Sequence, residues 1–471
     1  MLLRLKIFLA FVCFMFQSIA QSPKRIALTN VNIVDVENGK IIKKQVVIIE
    51  NNRITEIIPV TSKPGLANCQ IIAADGKFLM PGMIDTHLHL FYYIKNNKWE
   101  ELKLAFKLML ANGITGIREA GASIYTQEMI LVRDSLNKNY FPGPRIYVSG
   151  IVTSTNLKKF KVGNYTDLVD TFSNIGVDGI KIKFTTLKES IEIIDAAKRH
   201  NLPVYGHTYN TWRNETQNIL GDFTREAIDH GISGVMHLGF APVDSNKLPP
   251  GPEPAYSDKT ELGKEWWLYF DALWLHTNHN AEKELIDNMV KKKVWLEPTL
   301  SIGSYNMNYH AVLQKKALQY YFSPDSSLIE GFPLAEGKQL DTSRLAFRRQ
   351  QLFVKKFYNA GGLLLAGTDG SLYGSDLKDE LHYLSEAGIP AAAVIKIVTY
   401  NNALALGWLN DMGTVEKGKL ANLILLKNNP LQNINNLENI EAVFSNGNYY
   451  SRKILDNWLG QIKKEASQAK R

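Results

Sequence analysis

The residues best suited to chemistry stand in Asp85-Thr86-His87-Leu88-His89, directly after the apolar run 79–84. In a strand, side chains two apart face the same side, so His87 and His89 point together. Two imidazoles converging from one strand end suit a divalent transition metal. Taken alone, such a pair is a moderate signal, since two nearby histidines often serve merely as polar strand-end residues. Three further residues follow apolar strand-like runs: His207 after 202–206, His237 after 234–236, and Asp369 after 363–368. Each by itself is more often a cap or a hydrogen-bonded core residue. Together, four histidines and one aspartate at strand ends make a donor set for divalent cations that activate water.

Such a set needs a scaffold that brings distant strand ends to one place. Strand-like segments fall near 83–85, 116–119, 145–149, 179–183, 204–207, 234–237, 294–300 and 363–368. The first six recur at roughly thirty-residue steps, about one βα unit. Helices are predicted at 98–112, 124–137, 187–200, 222–230, 346–360, 377–388 and 391–405. Strands alternating with helices predict an α/β fold, a parallel (β/α)₈ TIM-like barrel over 79–408 with its chemistry at the C-terminal strand ends. Longer intervals mark insertions at 239–290 and 301–345. The first carries prolines 242, 249, 250, 252 and 254 and Trp266-Trp267-Leu268-Tyr269. These read as lids that shape a pocket, or as structural decoration or an oligomer contact. Residues 21–78 and 409–471 have β character, with turns at Asn38-Gly39, Asn51-Asn52 and Asn446-Gly447. The simplest packing joins both ends as a small β-sandwich beside the barrel.

On these residues the chain resembles the amidohydrolase superfamily. The resemblance rests on Pro81-Gly82-Met83-Ile84-Asp85-Thr86-His87-Leu88-His89 and on Gly413-Thr414-Val415-Glu416-Lys417-Gly418-Lys419-Leu420-Ala421-Asn422-Leu423. Tyr400-Asn401-Asn402-Ala403-Leu404-Ala405-Leu406-Gly407 narrows it to the imidazolonepropionase-like and Xaa-Pro dipeptidase-like branch. The resemblance implies two divalent metal ions, zinc first, with manganese, iron or cobalt as alternatives. It also implies a strand-4 lysine carboxylated by CO₂ to bridge them. The matching segment is Val177-Asp178-Gly179-Ile180-Lys181-Ile182-Lys183, and motif position points to Lys181. Lys183 shares its face by period two, so strand geometry does not choose between them.

By the same resemblance, His87, His89 and Asp369 hold one metal and His207 and His237 the other. Asp369 then shuttles a proton from the attacking water to the leaving nitrogen. Tyr209 resembles a His-x-Tyr element whose phenol steadies the developing oxyanion; a packing tyrosine at the rim is the alternative. Arg213 is a candidate partner for a substrate carboxylate. Arg118 and Glu119 read as structural or supporting groups. His200 and His230 suit helix C-termini. His276, His279 and His310 read as surface residues, and His382 as a structural or solvated one.

The remaining composition narrows the setting. Arg4 and Lys6, the apolar run 7–16 and Ser18-Ile19-Ala20 predict a signal peptide over 1–20 and a periplasmic or secreted protein. The apolar run is short for a membrane span, so no stable anchor is expected after cleavage. Cleavage removes two positive charges, taking the formal charge from +8 to +6. That value and the scattered lysine runs at 158–161 and 291–293 do not make a nucleic-acid platform. Cys69 is the sole cysteine of the mature chain, which excludes an internal disulfide and a multi-cysteine metal site. The expected partner is a small amide or dipeptide substrate; a homo-oligomer is compatible with the sequence but nothing in it encodes one.

The expected activity is therefore metal-dependent hydrolysis of a C–N bond by bridging hydroxide, of Xaa-Pro dipeptidase type. The alternatives are a cyclic-amide or imidazolone hydrolase, a non-catalytic metal-binding envelope protein, and a metal-independent sugar or lipid binder using the aromatic lid.

Overall fold

The structure, a computed structural model, describes residues 25–62, 65–122, 125–183, 185–208, 222–243, 271–304, 307, 336–370 and 372–469. The described residues open with a β domain. Strands β1 (Arg25–Asp35), β2 (Lys40–Glu50) and β3 (Arg53–Pro59) form an antiparallel meander. The turns fall where Gly39 and Asn51 take positive φ, +64° and +55°, conformations that glycine and asparagine tolerate. Strand β4 (Gln70–Ala73) pairs with the first half of β1, and β5 (Phe78–Pro81) with its second half.

Seven parallel strands then build the barrel wall: β6 (Met83–Leu88), β7 (Ile114–Glu119), β8 (Arg145–Val152), β9 (Gly179–Ile182), β10 (Val204–Gly206), β11 (Gly234–Met236) and β12 (Trp295–Glu297), adjacent in chain order. The predicted eighth strand is not a regular one. Residues 363–370 nevertheless span the gap. Leu365 N–H donates to Leu296 on β12, while Thr86 N–H donates to Ala366 and Asp369 N–H to the His87 carbonyl. Asn402 pins this seam from below: its amide donates to the Ile84 and Ala366 carbonyls and its oxygen accepts from Ala366 N–H.

The chain ends return to the first domain. Strands β13 (Leu423–Leu426), β14 (Ile440–Ser445) and β15 (Asn448–Ser451) extend it, β13 pairing with β5. The two chain ends thus share one sheet, which encloses its own apolar core of Leu28, Val47, Ile54, Leu79, Leu423 and Phe444. The helix Arg452–Ala469 was not anticipated. Leu455, Ile462 and Ala466 recur on one helical face and join the barrel core rather than that of the β domain.

Observed helices match most predicted ones, with Gly337–Asn359 starting earlier than 346. Two more, Ser154–Phe160 and Tyr165–Ile175, occupy the interval after β8 and start on the side-chain caps Thr153 and Asn164. No helix among the described residues is long and apolar enough to cross a membrane. Residues 1–24 and most of both insertions lie outside the described residues.

Candidate active site

The C-terminal ends of β6, β9, β10 and β11 and the 363–370 seam converge on one buried polar centre. His87 is fully buried, and its Nε2 lies 2.8 Å from Lys181 Nζ and 3.4 Å from Asp369 Oδ1. His89, nearer the mouth, places Nε2 3.1 Å from the same oxygen. His237 Nε2 lies 3.6 Å from the other one, Oδ2. The His207 ring stands 4.7 Å from that of His237, centroid to centroid. Thus every expected ligand is in one cluster. Tyr209 and Arg213 lie outside the described residues. Lys183 is only half-buried, whereas Lys181 has no exposure.

Local backbone explains the convergence. His237 and Asp369 have φ of +64° and +50°, which swing their side chains inward where a strand would continue. Such conformations cost energy and gather at functional sites. Gly206 precedes His207 with φ of +145°, and a Cβ there would meet the Ile182 carbonyl at 2.1 Å.

The donor set fits a divalent cation. One ligand atom each from His87, His89 and Asp369 lie within 4.8 Å of one another. Burial drives the imidazoles toward the neutral, lone-pair form: His87 and His207 are held well below their usual range, and His237 falls to about 3. Burial also brings Lys181 down to about 7, so a neutral amine is accessible to it.

Beneath these groups lies a supporting layer, in which Arg118 and Glu119 were expected and Glu297 was not. Glu297, at the end of β12, is fully buried. Its Oε1 lies 2.8 Å from His87 Nδ1, and its Oε2 accepts from Thr86 Oγ1 and, at 2.5 Å, from Arg118 Nη2. Arg118 also donates to the Thr86 carbonyl at 2.6 Å and stacks over Tyr205 and Trp295. Asp85 accepts from the His87 N–H and from Thr368. Glu119 accepts from Leu90 and Gly121 N–H groups and is raised by burial to about 7. The signal for Glu297 was a lone carboxylate closing the apolar run Val294-Trp295-Leu296, just as Asp85 closes 79–84. Of the other histidines, His200 pairs with Asp170 at 2.7 Å and His382 with Glu386 at 3.0 Å, away from the centre.

Residues 78–449 match the model of the amidohydrolase family. A segment of 90 residues is 37% identical to a dihydroorotase of Carboxydothermus hydrogenoformans, covering 19% of this chain and 20% of that protein. Among solved structures, a Xaa-Pro dipeptidase with bound methionine superposes with a TM-score of 0.64 at 20% identity, over 91% of this chain and 100% of that one. A putative prolidase from Bifidobacterium longum gives 0.62 at 22% identity, over 93% and 99%.

Proposed function

The chain belongs to the amidohydrolase family and is a hydrolase of carbon–nitrogen bonds, and from that premise we propose a metal-dependent enzyme of the Xaa-Pro dipeptidase type. The observation that carries the proposal is the approach of three imidazole Nε2 atoms, at the ends of β6 and β11, to the two oxygens of Asp369 at 3.1–3.6 Å.

His87, His89 and Asp369 would hold one cation and His207 and His237 a second, with Lys181, as its carbamate, a further ligand. Bound cations lower the pKa of water and polarise a carbonyl. Asp369 faces histidines on both sides and is 20% exposed at its side chain, so with His89 it reaches from the buried centre toward the mouth. It accepts the proton of the attacking water and delivers it to the nitrogen as the C–N bond breaks, leaving a carboxylate and an amine. Tyr209 would donate to the carbonyl oxygen as charge builds there. Residues 1–20 would direct export, giving a mature chain that starts near Gln21.

The test is elemental analysis of the purified mature protein beside a panel of Xaa-Pro dipeptides, N-acyl amino acids and cyclic amides. About two ions per chain and chelator-sensitive hydrolysis of an Xaa-Pro dipeptide are expected, with turnover abolished in Asp369→Asn and His207→Ala. Hydrolysis confined to cyclic amides would favour the second reading, to which the dihydroorotase segment lends support. Absence of metal and turnover after zinc and bicarbonate are supplied would overturn both.

A further inference from the structure

Strand β12 contributes no expected ligand, yet its end touches two of them. Glu297 Oε1 stands 2.8 Å from His87 Nδ1, and Thr299 Oγ1 stands 2.7 Å from His237 Nδ1. The histidines come from β6 and β11, and Glu297 and Thr299 are separated only by Pro298.

The chemistry of the partners sets the tautomers. A carboxylate only accepts; burial raises Glu297, while Arg118 at 2.5 Å from Oε2 and the Thr86 hydroxyl pull it back toward the ionised form. With Glu297 ionised, His87 carries its proton on Nδ1. The Thr299 hydroxyl has a single proton, which it donates to the Pro298 carbonyl at 2.8 Å. It is thus left to accept from His237 Nδ1–H. In both rings Nε2 becomes the lone pair, and both Nε2 atoms face Asp369.

The backbone is built to hold this arrangement. Proline fixes its own φ and restricts Glu297 before it to the extended region. Thr299 has φ of +49°, an outlier for a β-branched residue. The His237 N–H donates to the Glu297 carbonyl at 2.8 Å, locking the same pair of segments a second time.

We infer that Glu297-Pro298-Thr299 is a positioning element that fixes His87 and His237 as Nδ1–H tautomers and thereby sets the affinity of the centre for divalent cations. It rests on the metal site proposed above. Loss of such outer partners of ligating histidines lowers metal affinity by about 10- to 100-fold.

The experiment uses the full-length mature chain stripped with chelator and titrated with Zn²⁺, and separately with Co²⁺, against a chromophoric competitor. Glu297→Gln should weaken binding by about 10- to 100-fold and Thr299→Val by about 10-fold. Thr299→Ser, which keeps the hydroxyl, should return to within about twofold of the parent, because T299V differs from it chiefly in the missing hydroxyl. Long-range ¹H–¹⁵N spectra of the stripped, histidine-labelled protein should show both rings as Nδ1–H tautomers, with E297Q perturbing His87 alone and T299V His237 alone. Parent-like affinity and unchanged tautomers in both variants would overturn the inference. If the parent binds neither cation, the proposed function fails, while the tautomer spectra still decide this one.

Discussion

Replacing Arg118 by methionine would test whether the buried charge layer beneath the histidines is what keeps their strands in place. Arg118 and Glu297 are 1% and 0% exposed and lie 2.5 Å apart. Removing one partner of such a pair leaves a bare buried charge and costs about 3–5 kcal/mol. The guanidinium also gives up its bond to the Thr86 carbonyl and its stacking at 4.3 Å over Tyr205 and 4.9 Å over Trp295, whereas methionine retains most of the apolar stem. The expected loss is therefore about 4 kcal/mol, a large share of the roughly 5–15 kcal/mol that holds a typical domain folded. Urea unfolding, followed by both fluorescence and circular dichroism to check for one transition, would measure it. At a slope of about 3 kcal/mol per molar, the midpoint falls by roughly 1 M. In Arg118→Met/Glu297→Gln the uncompensated charge is gone as well. The double variant should then be less destabilised than the sum of the singles, by about 1–3 kcal/mol. A loss below about 1 kcal/mol in R118M, or strict additivity, would refute the claim that this layer is a paired unit.

Two further perturbations address the frame around the site. Gly206→Ala places a Cβ 2.1 Å from the Ile182 carbonyl at a φ of +145°; the variant should fail to accumulate as soluble protein, and normal yield with a parent-like melting curve would contradict the strand geometry. Glu380 is buried on the helix Ser375–Glu386, accepts from Ser301 N–H at 2.7 Å, and is raised by burial from 4.5 to about 8. A raised carboxyl is protonated in the folded chain while the unfolded one ionises. Its contribution is thus full below pH 4.5 and is lost as pH climbs toward 8. Glu380→Gln, neutral throughout, should gain on the parent by up to about 1.4 kcal/mol per pH unit across that window. Parallel stability profiles between pH 5 and pH 8 would exclude the assignment.

The ligand cluster was legible because the barrel imposes a period. A βα unit of about thirty residues returns the chain to the same rim each time, so His87, His207 and His237 fall where short apolar runs end. Other features had no such period. The seam at 363–370 carries hydrogen bonds to both neighbours but turns at Asp369, so a regular eighth strand is the wrong form for it. The helix Arg452–Ala469 buries only a narrow stripe and follows directly on β15, so its polar composition hid it. Between Lys181 and Lys183 the period is silent; burial and the 2.8 Å approach of Lys181 Nζ to His87 Nε2 separate them in the structure. Glu297 and Thr299 were missed for another reason: their partners lie 210 and 62 residues away, and no local pattern encodes so distant a hydrogen bond.

The arrangement of charge around the centre has a physical logic. Burial that leaves imidazoles neutral also makes an unpaired carboxylate costly. The barrel meets this by layering. Asp369 stands among the imidazoles near the mouth, Glu297 beneath them is matched by Arg118, and Asp85 is matched by N–H and hydroxyl donors from His87 and Thr368. Two of these carboxylates thus have all their close partners within the wall, and they fix its strands to one another. Asp369 is different, since its close partners are the histidines themselves and its side chain keeps some access to the mouth. In the proposed reaction Asp369 releases a proton at each turnover, which a neighbouring arginine would oppose by favouring the ionised form, and in this centre the arginine is tied to Glu297 instead. The separation of Arg118 from Asp369 is therefore as much a part of the site as the donor cluster.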